Sequence, residues 1–409
     1  MLQKTAVDIT EALVDSEMFR ESPSGSLVKS SITENGRTKE YRAFVPNPLP
    51  PAIEYDPDLV QLLSEADRSL GLLAGTGQQL PDPHLLIAPY LRREAVLSSR
   101  IEGTVASISD LFYFEMVPTE RPRSPDVREV TNYVKALEFG LKRLDDLPLS
   151  LRLTRELHAL LMKGVRGDSA AVGEFRDRQN WIGSPGCPIE EARFVPPPVE
   201  EMRVSLGLWE AYLHDRDSAP LLVQCALQHY QIEAIHPFID GNGRLGRLLI
   251  TLFLCERKAL LHPLLYLSAY FERHKDQYYD RLYAVSERGD WKGWLRFFFE
   301  AVRVQSMDAV ESAGRLLSLQ QAYRDRLSSI RVSGRVFTLL DYLLVNPFIT
   351  VPEACNRLEV QFSTAQAALN KLEEVDIIRE ITGRSRNRVY CAEELLEAIE
   401  EPRYGRPPS

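Results

Sequence analysis

The chain has 409 residues, 44% of them hydrophobic and 26% charged, with 49 basic against 58 acidic side chains and a formal net charge of −9. At roughly 100–200 residues per domain, this length predicts several domains with ample buried core. The composition excludes a disordered tail, a collagenous chain and a small disulfide scaffold, and the acidic balance argues against a protein that coats nucleic acid.

The start, Met1 to Asp8, lacks the apolar core of a signal peptide. The run from Leu248 to Cys255 is interrupted by Thr251 and is far short of the roughly 20 residues a membrane span needs. The five cysteines (Cys187, Cys225, Cys255, Cys355, Cys391) are scattered and form no CxxC pair. Neither a zinc site nor a disulfide framework is indicated, so the expectation is a reduced, cytoplasmic protein with no membrane contact.

The first fifty residues are polar and mixed and close in the proline-rich Val45–Pro51, which reads as extended chain. From Asp56, helical spacing takes over in Leu59, Leu62, Leu63, Ala66, Leu70 and Leu73. A second helix, about 83–103, carries Tyr90, Leu91, Ala95 and Val96 and ends at Gly103. Further helices are predicted at about 125–144, 150–163, 198–213, 219–234, 243–258, 275–287 and 290–327. Between Gly173 and Pro198 the helical spacing lapses, and two short β-prone pieces around a Gly/Pro turn predict a hairpin. After Ser333, three short helices precede Ile377–Ile381 and Arg388–Cys391, the pattern of a helix-turn-helix with a two-stranded wing.

The most informative segment runs from His236 to Arg247. It contains Gly241, Gly243 and Gly246 in the spacing of a dinucleotide fingerprint, but it follows helical Gln228–Glu233 rather than a buried strand, so that reading fails. It offers phosphate chemistry instead. Gly241 and Gly243 let backbone N–H groups converge where a helix begins, a natural anion site. Arg244 and Arg247 share a helical face and reach toward one polyphosphate. Asp240 suits a Mg²⁺ ion bridging phosphate oxygens, and His236 is placed to take a proton from an attacking hydroxyl.

Residues 236–247 match the HxFx(D/E)GNGRxxR motif of Fic proteins at every specified position. The flanking Trp181-Ile182-Gly183, Phe194–Pro197 and Tyr278-Tyr279 also resemble the family, so the likeness covers about the central half of the chain. It implies a Fic-type helical core and transfer of AMP from ATP, with Mg²⁺, to a Ser, Thr or Tyr hydroxyl of a target protein, which could be the enzyme itself. His236 would be the base and Asp240 the metal ligand. Gly241, Asn242, Gly243, Arg244, Leu245, Gly246 and Arg247 would bind the nucleotide, Phe238 would pack inward, and Tyr278 would line the adenine pocket. Trp181, Ile182 and Gly183 resemble the family's flap, which docks the target as an added strand.

Upstream, Ser98-Ser99-Arg100-Ile101-Glu102-Gly103 fits the inhibitory (S/T)xxxE(G/N) pattern of the family. Ser98 and Glu102 lie four apart on one helical face, and a carboxylate on Arg247 would occupy the guanidinium meant for the γ-phosphate. In the winged-helix segment, Ser333 to Glu394 holds seven basic and nine acidic residues. That is a poor footprint for DNA and favours a protein-binding or dimer-forming role, although Arg384, Arg386 and Arg388 make the wing locally basic.

The expected organisation is an N-terminal region over 1–110, a Fic core over 111–328, a winged helix over 329–400 and a tail over 401–409. The fold class is mainly α, with a small hairpin flap. Helical surfaces such as Leu141–Leu144 are compatible with a homodimer. Two rival functions remain at this stage: removal of AMP from a modified target, and a DNA-binding regulator whose core senses nucleotide.

Overall fold

The computed structural model describes residues 19–34, 37–79, 84–116, 126–165, 172–184 and 186–400. The protein is mainly helical. In chain order, α1 (Pro57–Gln79), α2 (His84–Ile101), α3 (Ile108–Met116), α4 (Asp126–Arg143), α5 (Leu151–Leu161) and α6 (Val199–His214) lead to the central pair. That pair is α7 (Leu221–Ile235) and α8 (Asn242–Glu256), followed by α9 (Ser268–Arg273), α10 (Lys275–Arg288) and the long α11 (Trp291–Ser328). Helix α7 is buried on nearly every side, which explains its apolar residues on all faces. Trp209 on α6 and Trp294 on α11 donate their indole N–H groups to the α7 carbonyls of Gln228 and Ala226, at 3.1 and 3.0 Å.

The polar residues before Val45–Pro51, to which the sequence pattern assigned no element, form strands. Strands β1 (Gly25–Glu34) and β2 (Arg37–Pro46) form an antiparallel hairpin, with Val28 opposite Ala43 and Ser30 opposite Tyr41. Tyr41 and Ala43 pack with Ile189, Ala192 and Val195, while Phe44 enters the main core. The apolar alternation is interrupted by Ser30 on β1 and by Lys39 opposite Ile32, so the period-2 signal is weak.

The predicted flap hairpin is correspondingly reduced. It closes through one antiparallel bridge, Ile182 with Phe194, and a 3₁₀ turn at Ile189–Glu191. Its outer limb leans on the N-terminal hairpin, where Phe44 N–H donates to the Val195 carbonyl at 2.9 Å. A β-ladder was thus supplied by the chain's beginning rather than by the flap.

The C-terminal unit comprises α12 (Gly334–Val345), β3 (Phe348–Thr350), α13 (Val351–Leu358), α14 (Phe362–Glu374), β4 (Arg379–Glu380), β5 (Val389–Cys391) and α15 (Glu393–Glu400). The strands form an antiparallel sheet in the order β3-β5-β4, an arrangement compatible with a winged helix. Strand β3 had no counterpart in the sequence pattern. Three residues are too few for a periodicity to register. In α14, the third helix of this unit, Lys371 is engaged by Glu374 at 2.6 Å.

Helix α3 runs across position 110. Buried residues from α2 to α15 belong to one continuous core. The C-terminal unit joins it through Phe348, which meets Phe112 and Tyr113 of α3 at ring distances of 6.4 Å. Among the described residues no helix is long and apolar enough to cross a membrane. The tail 401–409 lies outside the described residues. Phe348→Ala, which empties this joint, is expected to lower the free energy of unfolding by about 3 kcal/mol, read from urea titration.

Candidate active site

Helix α7 ends at His236, whose backbone is left-handed at φ 50° and ψ 59°, and α8 begins after Gly241, left-handed at φ 79°. These two residues reverse the chain within five positions. Gly241 is obligatory here, because a Cβ would lie 2.7 Å from the Met162 sulfur as well as at positive φ.

The loop between is held by side chains that bond its carbonyls. Arg176, buried, donates from Nε to the His236 carbonyl at 3.0 Å and from Nη2 to the Pro197 carbonyl at 2.5 Å. Asn180 donates to the Phe238 carbonyl at 2.8 Å. Asn242 closes a two-way clasp on Phe238, accepting its N–H at 2.9 Å and donating to its carbonyl at 2.8 Å. Phe238 points inward and stacks on His158 at 3.8 Å. His158 accepts the Gly173 N–H on Nδ1 at 3.0 Å, so its Nε2–H donates to the Asp240 carbonyl, also at 3.0 Å.

His236 is the base candidate that this frame positions. Burial pushes its imidazole down to about 4, so it is neutral near pH 7. Its Nδ1 lies 3.2 Å from the Glu233 carbonyl. A neutral ring donates there and keeps the Nε2 lone pair free. Beside it, the first-turn N–H groups of Asn242, Gly243 and Arg244 have no helical acceptor, and Gly241 offers no side-chain cap. Asp240 accepts the Gly241 N–H at 2.6 Å and stays 55% exposed.

The two arginines of α8 already hold carboxylates of the chain. Arg244 donates to Glu129 of α4 at 2.9 Å, and its Nη2 lies 3.7 Å from Asp240. Arg247, with 1% of its side chain exposed, meets Glu102 at 2.6 Å; Glu102 lies in the turn just after α2, which ends at Ile101 rather than at the expected Gly103. Arg247 also donates from Nε to the Ser98 hydroxyl and from Nη2 to the Ser98 carbonyl, both at 2.9 Å. Burial pushes the Glu102 carboxyl up, but the Arg247 charge and hydrogen bond outweigh it and hold the group below its ordinary range. Gly243 makes this possible: a Cβ there would run into Glu102 Oε1.

Residues 60–142 match the Fic/DOC family N-terminal domain and residues 148–254 the Fic/DOC family domain. The protein carries a Fic domain. It is 32% identical over 173 residues to a protein adenylyltransferase Fic of Drosophila grimshawi, 41% of this chain and 32% of that relative. It is 29% identical over 151 residues to the protein of that name in Aedes aegypti, 36% of this chain and 27% of the relative. The match therefore spans about a third of these relatives' length. A Fic family protein from Desulfovibrio desulfuricans shares the fold at 20% identity with a TM-score of 0.55, covering 84% of this chain and 98% of that one. Fic-1 of C. elegans does so at 21% identity and a TM-score of 0.50, over 64% and 75%.

Within this Fic domain the loop residues His236, Asp240, Gly241, Asn242 and Gly243 stand together, and Ser98, Glu102 and Arg247 meet across α2 and α8. The surroundings of the other candidate residues differ. Leu245 packs into the core, leaving only its backbone near the loop. Gly246 is covered by Glu233 and His229. Tyr278 is buried beside the site, within electrostatic reach of Arg247, Glu233 and Glu102: its ring stacks on Phe271 at 4.6 Å and its hydroxyl meets His229 Nε2 at 2.8 Å. On the flap, Ile182 is 38% exposed, whereas Trp181 packs inward and donates its indole N–H to the Cys187 carbonyl at 2.9 Å. Gly183 lies close to Cys187, whose sulfur a Cβ would meet at 2.6 Å.

The braces Arg176, Asn180 and His158, and the Arg244 partner Glu129, escaped the sequence reading because each acts from a different element with no shared spacing. A histidine titration by NMR is expected to place the His236 midpoint near pH 4, with the neutral ring persisting at every higher pH. A midpoint near 6.5, the ordinary value, would mean the ring is solvated rather than buried. Asn242→Ala, which opens the clasp on Phe238, is expected to cost about 1–3 kcal/mol of unfolding free energy, measured by thermal denaturation.

Proposed function

We propose that the protein transfers AMP from ATP to a Ser, Thr or Tyr hydroxyl of a target protein, itself included, and that Glu102 restrains the reaction. The observation that carries this reading is a neutral His236, with Nε2 free, beside the unpaired amides that open α8. Nε2 takes the proton of the target hydroxyl. The hydroxyl oxygen forms a bond to the α-phosphorus while the bond from that phosphorus to the β-bridging oxygen breaks, and pyrophosphate leaves. The Asn242 and Gly243 amides face the charge on the phosphates, and Arg247, once freed from Glu102, binds their far end.

Asp240 is suited to a magnesium ion. It is an exposed carboxylate at the mouth of the cradle, and Mg²⁺ is commonly held by one or two carboxylates together with phosphate oxygens and water. When bound, the ion would neutralise phosphate charge. Among the described residues no group of three or more His, Cys, Asp or Glu is set to hold a metal. The exposed edge at Ile182 and Gly183 is the proposed docking point of the target segment.

Restraint by Glu102 follows from charge. It occupies Arg247 and sets a carboxylate beside the polyphosphate, so the α-phosphate is poorly aligned, and small misplacements cost rate heavily. With ATP labelled on the α-phosphate, Glu102→Gly is expected to raise label transfer to protein by about tenfold or more, and His236→Ala to lower it by about 10²–10⁴-fold. Transfer of γ-label would instead indicate kinase-like chemistry. Unchanged activity in Glu102→Gly would remove the inhibitory role.

A further inference from the structure

One ionisable group of the site has no part in the mechanism above. Glu233 lies one turn before His236 on α7, and its backbone carbonyl is the acceptor for His236 Nδ1. Its side chain turns to α8, where a Cβ on Gly246 would collide with Oε1 and lie 3.2 Å from Cδ. Oε1 is buried without a hydrogen-bond partner, and so is Nη1 of Arg247. Arg247 is therefore satisfied on the side of α2, through Nε and Nη2, and unsatisfied at the nitrogen that Ser98 and Glu102 leave unused.

We infer that Glu233 is a second carboxylate for Arg247: when Glu102 withdraws, ionised Glu233 takes the guanidinium and competes for it with the terminal phosphate of a nucleotide, so that nucleotide capture requires a proton on Glu233. This rests on the AMP-transfer reading in taking Arg247 as the subsite for the far end of the polyphosphate.

The surroundings supply the sign. The titratable groups around the carboxyl are His229 on its own helix, His236 just after that helix, Arg247 on α8, Glu102 just after α2, and Tyr278 and Tyr279 on α10. Burial keeps both imidazoles neutral, pushing His229 to about 3 and His236 to about 4. Burial likewise raises both phenols, so the charges that matter are Arg247 and Glu102. Burial pushes Glu233 up to about 7, with Arg247 pulling it down and Glu102 pushing it further up. Withdrawal of Glu102 removes a like charge and favours ionisation, whereas a polyphosphate on Arg247 restores like charge and favours the protonated form. Glu233 is thus a positioning residue: ionised it holds Arg247 for want of a ligand, and protonated it releases it.

The test is calorimetric binding of ATP with Mg²⁺ to Glu102→Gly from about pH 6 to about pH 9, a range that brackets carboxyls raised in this way. The affinity is expected to fall by up to about tenfold per pH unit across the window of one linked proton. Binding should take up a proton, seen as a dependence of apparent enthalpy on the buffer's ionisation enthalpy. Cation binding to a partly protonated γ-phosphate releases protons, so the two sources differ in sign. AMP, which lacks the far phosphates, should show neither effect. In Glu102→Gly/Glu233→Gln the pH dependence should vanish while ATP still binds. ATP binding to Glu102→Gly without proton uptake, or the same slope in the double variant, overturns the inference and leaves AMP transfer standing. No ATP binding at any pH overturns both. The proton count in Glu102→Gly needs no change at position 233, so poor folding of the double variant would not obscure the answer.

Discussion

Arg247 carries its charge where almost no water reaches it, and the arrangement of the site depends on how that charge is met. A guanidinium in such a place needs acceptors in fixed positions. Three of them come from the last turn of α2 and the residue that follows it: the hydroxyl and carbonyl of Ser98 and the carboxylate of Glu102. The pairing therefore ties α2 to α8 at the point where α8 begins to serve as an anion site. Further along α2, Arg93 pairs with Asp308 of α11 at 3.3 Å, and Glu94 accepts the hydroxyl of Ser268 on α9 at 2.5 Å. Helix α2 is thus anchored along its length by buried polar contacts, and the carboxylate that follows its last residue is held against Arg247.

The loop from His236 to Gly241 obeys a complementary rule. Its carbonyls are consumed by Arg176, Asn180, Asn242 and His158, while N–H groups at the start of α8 remain unpaired. A backbone held in this way points donors outward without needing to reorganise when charge arrives, the condition under which electrostatic stabilisation is strongest. Buried side chains, rather than the loop's own hydrogen bonds, supply that rigidity.

Much of this was legible from spacing. The helices from α4 to α8 and from α10 to α14 lie within a few residues of where apolar periodicity puts them, because each buries one stripe or, for α7, its whole circumference. The HxFx(D/E)GNGRxxR run places base, cradle and arginines within twelve residues, and SxxxEG places Ser98 and Glu102 on one face. The N-terminal hairpin was not legible, since Ser30 and Lys39 break its alternation. Nor were β3 and α9, which are too short to show a period. The burial of Tyr278 and its hydroxyl contact with His229 were not legible either, because an aromatic beside the motif looks the same in sequence whether it lines a pocket or fills the core.

The sequence by itself determined the chemical inventory: a histidine, an acid, three glycines and two arginines in one short run, and a helix upstream bearing a serine and a glutamate. Local spacing is enough for that, because residues within a turn or two of one another are placed by the helix alone. Tertiary structure decided which atom of each is available. It put Arg247 against Glu102 across 145 positions of chain, turned Arg244 toward Glu129, left Glu233 Oε1 buried without a hydrogen-bond partner, and buried His236 so that its ring is held neutral. Those outcomes depend on burial and on contacts between distant elements. No window of sequence contains them.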